Sequence, residues 1–274
     1  KMKEKDILLG FVQNETSISW VHQRIIGWRK NSTDDVCTWG GIKCNSSNKV
    51  YSIDLKNSDY IGTIPSKVGS LDHLAYLYLS KNSIYGAIPE TITQQDRLVH
   101  FDVSENRIRG EVPIFKSPII KIVNLSRNQL TGRIPNDIGD TGGKGGGNTP
   151  LQVFDLKYNR LSGTIPESIG DISTNLMKLD LSHNELVGTI PETLGKLLKM
   201  ESLFLSHNKL HGSIPAQLLH SDMEQLKQIF IMRNSLSGTV PIGLADLPNI
   251  KNILIGDNKF TGTIPPELCD LNLN

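Results

Sequence analysis

The sequence predicts a repeat solenoid of the α/β class, and two observations support this prediction. A segment like LDLSHNELVGTIP at 179–191 recurs nine times along the 274 residues. Every copy holds a glycine and, three residues later, a proline at fixed places. A single copy is too short to bury its own apolar face, so we expect neighbouring copies to stack into one continuous core.

An asparagine, four residues before the glycine, marks the register of the copies. The commonest spacing between successive copies is 24 residues, and the longest is 31 residues, between Asn128 and Asn159. At a sharp turn, an asparagine side chain can bond backbone groups that the turn leaves unpaired. The first copy departs from the pattern, with Ser58 in that place. We predict a structural ladder of Asn82, Asn106, Asn128, Asn159, Asn184, Asn208, Asn234 and Asn258.

Each copy carries the pattern L-x-x-L-x-L before its asparagine. In a short strand the leucine places of this pattern point inward, and the places between them point outward. A repeat of about 24 residues with this pattern is typical of a leucine-rich repeat. The glycine allows a tight backbone path, and the Ile-Pro pair buries one side chain while fixing φ. We predict nine repeats over 50–274 and an N-terminal cap over 1–49.

The cysteines and the glycosylation sequons point to the secretory pathway. Cys37 and Cys44 are seven residues apart, which does not match the usual spacing of zinc ligands, so a local disulfide is the better interpretation. A disulfide implies an oxidising compartment. We therefore predict an extracellular or cell-surface location. Candidate glycosylation sites agree with it, at Asn14, Asn31, Asn45 and Asn124.

Charge and hydropathy exclude several classes of partner. The formal net charge is +1, which gives no electrostatic case for nucleic acid or for an anionic membrane. No stretch approaches the ~18 apolar residues that a membrane helix needs, so we expect no membrane contact within this chain. The opening residues, KMKEK, make a poor signal peptide. A trimmed signal or a fragment of a longer protein would account for that start.

The Leu-x-Gly-x-Ile-Pro pattern resembles the plant-type leucine-rich repeat of extracellular receptor ectodomains and secreted inhibitors. The segment CTWGGIKC at 37–44 looks like the C-x-W-x-G-[IV]-x-C signature of that family's N-terminal cap. The stretch 7–12 and Trp28 resemble the helix of the cap and its following tryptophan. The resemblance implies a right-handed superhelix with a parallel concave β-sheet, short 3-10 or irregular convex segments and a helical cap.

The C-terminal side departs from the family. The usual second cysteine pair is missing, and Cys269 stands where sister repeats carry a glycine. One interpretation is a packed small residue, and the other is a disulfide to a cysteine outside this chain. We expect the natural protein to continue beyond Asn274.

No catalytic constellation emerges from the sequence. The glycine-rich stretch GDTGGKGGGNTP at 139–150 lacks the Ser or Thr after Lys144, and the following helix, that a phosphate-binding loop needs. It lies in the longest repeat, so we predict a flexible insertion in a return loop. His183 and His207 share one place in consecutive repeats and could hold a metal, but no third ligand is in register. We predict no catalytic residue, no metal and no cofactor.

The outward positions of the predicted sheet form the default binding surface of a solenoid. The central outward position is acidic or polar in the middle of the array and apolar in the last three repeats. An exposed apolar run with a charged rim resembles an interaction hot spot. Side chains that merely pack on one another along the sheet are an equal alternative. The candidate ligand-binding residues are Tyr78, Asp102, Asp155, Asp180, Phe204, Phe230, Met232, Arg233 and Leu254.

A second outward patch lies in the first half of the array and holds Tyr51, Tyr76, Tyr78 and His100. Ordinary exposed strand aromatics are the alternative interpretation of this patch. A glycan on Asn124 would stand in mid-sheet and divide the two patches.

The sequence and the resemblance together favour a non-catalytic recognition module. The first hypothesis is the ectodomain, or part of it, of a cell-surface receptor-like protein or kinase. It would bind a protein, peptide or small-molecule ligand on its concave face, with a co-receptor as a further candidate partner, and a kinase domain could lie outside this chain. The alternative is a secreted inhibitor of a cell-wall-degrading enzyme, similar to polygalacturonase inhibitors. An ice-binding surface is a weaker hypothesis, because threonines recur at Thr63, Thr164, Thr189, Thr239 and Thr263.

Overall fold

The structure, a computed structural model, describes residues 3–12, 28, 35–138 and 150–270. Its main feature is a ten-stranded sheet in which nine parallel strands follow one another in chain order. The remaining strand, Ile42–Cys44, pairs antiparallel with the first of them at one edge. The nine parallel strands, which form the concave sheet, are Val50–Asp54, Tyr76–Tyr78, His100–Asp102, Ile122–Asn124, Val153–Asp155, Lys178–Asp180, Ser202–Phe204, Gln228–Phe230 and Asn252–Leu254.

Alternation along each concave strand separates the core from the outward surface. Leu179 lies at the middle of its strand and is fully buried, while its two neighbours face the other way. Leu203 and Ile229 hold the same position in the next two strands, in register with it, and are also fully buried. Burying each such side chain stabilises the fold by roughly 1.5–3 kcal/mol. The core is therefore a continuous stack, and the predicted parallel solenoid is confirmed.

The asparagines tie each repeat to the one before it. Asn184 Nδ2 donates to the carbonyl of Leu181 in its own repeat and to that of Leu156 in the preceding repeat, both at 3.1 Å. Asn184 Oδ1 accepts from the backbone N–H of Leu161 at 3.0 Å. Buried backbone groups at the turn would otherwise lack partners. The asparagine side chain thus closes the turn and joins two repeats.

Short helices follow the prolines on the convex side. Pro191 is extended, with φ −63° and ψ 134°, and the helix Glu192–Lys196 begins directly after it. A Cβ on Gly195 would lie 1.9 Å from the backbone oxygen of Gln217 in the next repeat, so only glycine allows this approach. The convex 3-10 helices are Ser66–Ser70, Glu167–Asp171, Glu192–Lys196, Ala216–Leu218, Ile242–Leu244 and Pro266–Asp270, and Glu90–Thr93 is an α-helix.

A second set of short strands follows the asparagine turns, and the sequence analysis did not predict it. One sheet has four strands, Ile61–Gly62, Ser83–Gly86, Arg107–Gly110 and Gln129–Leu130, and the other has three, His211–Gly212, Ser235–Thr239 and Lys259–Thr261. An isolated bridge joins Thr164 and Val187 between them. We call these the lateral sheets. Runs of two to five residues are too short to show a period of two in the sequence.

The N-terminal cap covers the first repeat with aromatic side chains. It contains the α-helix Glu4–Leu8 and the 3-10 helices Leu9–Phe11 and Val36–Thr38. Phe11 packs edge-on against Trp28 and Tyr60, with ring centroids 6.0 Å and 5.5 Å apart. Cys37 and Cys44 form a disulfide, with Cα atoms 5.5 Å apart. Tyr60, which stands where other repeats carry leucine, is fully buried and donates its hydroxyl to the carbonyl of Thr63.

Some sequence predictions fall outside the described residues. These are the sequons at Asn14 and Asn31 and the glycine-rich insertion, of which only Pro150 is described. Cys269 is an exposed free cysteine among the described residues, and both interpretations of it stay predictions. Across the described parts of the chain, no helix is long and apolar enough to cross a membrane.

Candidate functional site

The central outward residues of the concave strands form one straight column. Strand register places Asp155 opposite Asp180, Asp180 opposite Phe204, and Phe204 opposite Phe230. The column ends at Leu254, which is opposite Phe230. Neighbouring parallel strands lie about 4.8 Å apart, so these side chains are in reach of one another. The sequence pattern therefore placed the column correctly, but not the exposure of its members.

The acidic members of the column are buried, which corrects the expectation that they present free charge outward. Asp102, Asp155 and Asp180 are only 8%, 4% and 3% exposed. Asp180 Oδ1 accepts from the Ser182 hydroxyl at 2.6 Å and from its backbone N–H at 3.2 Å. Asp102 holds Ser104 in the same way. These carboxylates therefore act first as turn-closing acceptors, and a ligand reaches them only at their edges.

Two lysines neutralise the central acid pair. Lys178 Nζ lies 2.9 Å from Asp155 Oδ2 and 3.6 Å from Asp180 Oδ2, and Lys157 Nζ lies 3.7 Å from both. Burial and the nearby charge of Asp155 raise the pKa of Asp180. Burial opposes the charge of Lys178, but its contacts with the two carboxylates outweigh this and raise the Lys178 pKa. The four side chains form a compact, formally neutral cluster.

Beyond the neutral cluster, the column becomes apolar, with Phe204 and Phe230 half-buried. The rings of Phe204 and Phe230 have centroids 4.8 Å apart and planes tilted by 41°, and Lys178 Nζ lies 5.7 Å from the Phe204 centroid. Leu254 is 44% exposed. Met232, two residues beyond Phe230, is half-buried. We call Phe204, Phe230, Met232 and Leu254 the apolar patch.

Arg233 stands beside the apolar patch and is exposed. Its Nε lies 3.1 Å from Asp257 Oδ2 in the next repeat. Such an exposed pair contributes little to stability, so the guanidinium keeps donors for a partner. Arg233 and the apolar patch therefore lie together, as the sequence predicted.

A buried hydroxyl under the apolar patch escaped the sequence analysis. Ser206 follows Phe204 by two residues, as Ser182 follows Asp180. Because phenylalanine offers no acceptor, the buried Ser206 hydroxyl has no hydrogen-bond partner among the described residues. Leaving such a group unsatisfied costs about 1–3 kcal/mol. The apolar patch is thus maintained at the expense of local stability.

The second patch of the sequence analysis is a row of rings that pack on one another. Tyr78 meets His100 at 4.6 Å and Tyr76 at 6.3 Å between centroids, and Tyr76 meets Tyr51 at 6.0 Å. All four side chains are half-buried. Burial lowers the pKa of His100, although the charge of Asp102 opposes the shift. These rings largely pack on one another, which favours the structural alternative for this patch.

A stack of rings lies along the rim of the concave sheet and includes His183 and His207, which the sequence had aligned in consecutive repeats. His183 lies face to face with Tyr158 and with His207, and both pairs of centroids are 3.9 Å apart. The Arg127 guanidinium lies 4.3 Å from the centroid of Tyr158. We call Tyr158, His183 and His207 the ring stack. Within the described chain no group of three or more metal-ligating side chains forms, and stacked imidazoles do not converge on one point.

The two described sequons differ in setting. Asn45 Oδ1 accepts from the backbone N–H groups of Ser47 and Lys49 in an exposed turn. Asn124 lies on the concave sheet, between Asp102 and Asp155, and its Oδ1 accepts from the N–H and hydroxyl of Ser126. A glycan on Asn124 would therefore stand on the column itself.

Comparison with known proteins places the fold in a family. The model for the leucine-rich-repeat N-terminal domain matches residues 3–45, and leucine-rich-repeat models match 120–141, 149–210 and 249–271. The chain belongs to the leucine-rich-repeat family. A leucine-rich repeat receptor-like serine/threonine-protein kinase of Arabidopsis thaliana, SKM1, is 34% identical over 135 residues, or 49% of this chain. This leucine-rich-repeat chain spans 9% of the length of that kinase.

Solved plant structures share the leucine-rich-repeat solenoid. The complex of PEPR1 with AtPEP1 superposes with a TM-score of 0.84 and 31% identity, over 96% of this chain and 36% of that one. The Arabidopsis receptor kinase HAESA, bound to the peptide hormone IDA and the co-receptor SERK1, superposes with a TM-score of 0.82 and 29% identity. The match covers 97% of this chain and 44% of that one. A plant ice-binding protein superposes with a TM-score of 0.72 and 26% identity, over 96% of this chain and 88% of that one.

Proposed function

We propose that this chain is a non-catalytic, extracellular recognition module, the ectodomain or part of the ectodomain of a cell-surface receptor-like protein or kinase. Its concave sheet binds a peptide or another small ligand, and the apolar patch anchors that ligand. The observation that carries the proposal is the change along the central column, from a neutralised acid pair at Asp155 and Asp180 to half-buried aromatic rings at Phe204 and Phe230.

The apolar patch places large apolar side chains on the outward face of the concave sheet. Phe204 and Phe230 are half-buried on the outward face of the concave sheet, and Leu254, which is exposed, extends the apolar run. Contiguous exposed apolar surface is typical of interaction sites, where a few aromatic anchors supply most of the binding energy. The unsatisfied hydroxyl of Ser206 supports the same conclusion, because an acid at position 204 would satisfy it.

Chemistry argues for a peptide as the ligand. A peptide offers apolar side chains for the patch and polar backbone groups for the edges of Lys178 and Asp180. The likeness to HAESA bound to a peptide hormone and a co-receptor supports this choice. By the same likeness, a co-receptor is a candidate second partner. A signalling kinase, if this receptor has one, belongs to the rest of the protein.

A second candidate function is ice binding, favoured by the likeness to a plant ice-binding protein over most of both chains. Exposed threonines recur at one place of the repeat, such as Thr164 and Thr189. The exposed charges of Glu111 and Arg133 occupy that place in the two repeats before that of Thr164, which breaks the regular array. We therefore expect no thermal hysteresis at millimolar protein, and a clear hysteresis gap would favour this second function.

Selection from a random peptide-display library tests the receptor proposal. The double variant Phe204→Glu/Phe230→Glu should lose the peptides that the wild-type chain selects. Leu198→Glu, a matched change at an exposed apolar side chain outside the concave sheet, should retain them. Equal enrichment of the same peptides by the wild type and the double variant would contradict the proposal.

A further inference from the structure

A polar cleft lies on the convex side, between the helical segments of the first two repeats. Its volume is about 720 Å³, which is within the range of small-ligand sites. The helices Ser66–Ser70 and Glu90–Thr93 line it, together with the loops that follow them. Thr91 Oγ1 donates to the carbonyl of Ser66 at 2.6 Å. This bond joins the two helices, so the two walls of the cleft are fixed relative to each other.

Gln95 lines this cleft and departs from the repeat pattern. Six residues after the proline, three other repeats carry a buried leucine, at Leu71, Leu197 and Leu247. In this repeat the same place holds a glutamine that is only 8% exposed. A buried polar group is destabilising unless it is hydrogen-bonded, so a glutamine at this position calls for partners at both ends of its amide.

Only one end of the Gln95 amide has partners in the described chain. Its Nε2 donates to the carbonyls of Gly69 and Leu71 in the preceding repeat. Because two carbonyls accept from this atom, it is the nitrogen, and the orientation of the amide is fixed. Gln95 Oε1 accepts no hydrogen bond from a described residue, and the side chain lines the cleft. The oxygen is therefore a pre-oriented acceptor for a donor that a ligand supplies.

Carboxylates outnumber cations around this acceptor. The charged and titratable side chains of the cleft are Asp72, Glu90, Asp96, Arg97 and His73. Neither the carboxylates of Glu90 and Asp96 nor the guanidinium of Arg97 forms an ion pair among the described residues. Three carboxylates stand against one guanidinium and one imidazole, so the cleft is negative whether or not the imidazole is protonated.

An organic ammonium ion fits this arrangement better than a metal ion or a saccharide. An ammonium group offers three donors and no acceptor, which matches a fixed acceptor among carboxylates. A metal ion needs ligands that converge, and within the described chain no group of three or more metal-ligating side chains does so. No Phe, Tyr or Trp side chain lines the cleft, so a sugar ring would find no aromatic face. Carboxylates that are spread out suit a linear cation with several separate charges.

We propose that this convex cleft binds a linear polyamine. One ammonium group donates to Gln95 Oε1, and the others lie against the carboxylates of Glu90 and Asp96. The cleft is on the opposite side of the solenoid from the apolar patch. The inference therefore goes beyond peptide recognition on the concave sheet and stands or fails independently of it.

Calorimetric titration of the whole chain with spermidine, at low and fixed ionic strength, tests the site. Gln95→Leu restores the leucine of other repeats and should weaken binding about tenfold, the effect of losing a hydrogen bond to a charged group. Glu90→Gln/Asp96→Asn should also weaken it, whereas Arg97→Gln should tighten it because a repelling charge is removed. Gln225→Leu, at an exposed amide outside the cleft, should bind spermidine as the wild type does.

The variants and a second set of ligands keep the test decisive. If Gln95→Leu unfolds, as judged by circular dichroism, the variants at the exposed Glu90, Asp96 and Arg97 decide the outcome. Tighter binding of tetralysine than of spermidine would overturn the choice of a free polyamine. Absence of spermidine binding, its displacement by equimolar calcium, or wild-type affinity in the folded cleft variants would overturn the site itself.

Discussion

His183 lies face to face with His207, with ring centroids 3.9 Å apart and ring planes within 16° of parallel. Burial and four neighbouring cationic or titratable groups hold the pKa of His183 below its ordinary value of 6.5. The unfolded chain therefore binds this proton more readily than the folded chain.

Stability should consequently fall as the pH is lowered from 7.5 through 6.5 towards the lower pKa of folded His183, and His100 acts in the same direction. Urea denaturation at closely spaced pH values measures this slope in the absence of anionic ligand. His183→Asn should flatten the slope, and His211→Asn should leave it unchanged. A free energy of unfolding that rises on acidification in this range would contradict the assignment.

Replacing Asp180 should separate its role as an acceptor from its role as a charge. Asp180→Ala leaves the N–H and hydroxyl of Ser182 without their acceptor and should reduce the free energy of unfolding by about 1–3 kcal/mol. Asp180→Asn should be much milder, because Asn124 accepts from Ser126 in the same geometry. Thermal unfolding of both variants measures the difference, and equal losses would show that charge dominates.

Two glycines provide a matched test of the packing between repeats. A Cβ at Gly195 would collide with the backbone oxygen of Gln217, whereas a Cβ at Gly256 would have no atom within 4 Å. Gly195→Ala should therefore destabilise the fold by about 1–3 kcal/mol, and Gly256→Ala should be close to neutral. Chemical denaturation of both variants checks this, and similar stability of the two would contradict the close approach.

The asparagine turns should be more sensitive to truncation than exposed asparagines. Asn184→Ala removes three donated contacts and one accepted bond to backbone groups and should cost about 3 kcal/mol. Asn175 accepts one exposed bond from Lys199, so Asn175→Ala should change stability by less than about 0.5 kcal/mol. Comparable losses in the two variants would show that the turn closes without its asparagine.

Much of the fold could be predicted from the sequence because every repeat has the same alternation of inward leucine positions and outward positions. The leucines that flank Asp180 fix the strand, and the outward column follows from the register. The lateral sheets escaped prediction because a strand such as His211–Gly212 has only two residues. Their pairing depends on the stacking of whole repeats, which no local pattern encodes.

The candidate site was predicted in outline only. Sequence alternation placed Asp155 and Phe204 on the same face correctly. It could not show that Asp155 is buried under two lysines, because the lysines belong to other positions of the repeat. Comparison of the repeats also placed His183 and His207 in one column. It could not show that their rings stack face to face with each other and with Tyr158.

The most direct test of the account is the affinity of one library-selected peptide for matched variants of the apolar patch. Isothermal titration calorimetry should give at least a tenfold loss of affinity for Phe230→Ala, as expected of a buried aromatic anchor. Leu198→Ala, which removes an exposed apolar side chain outside the concave sheet, should bind as the wild type does. Wild-type affinity in Phe230→Ala, with a loss in Leu198→Ala, would contradict recognition on the concave face.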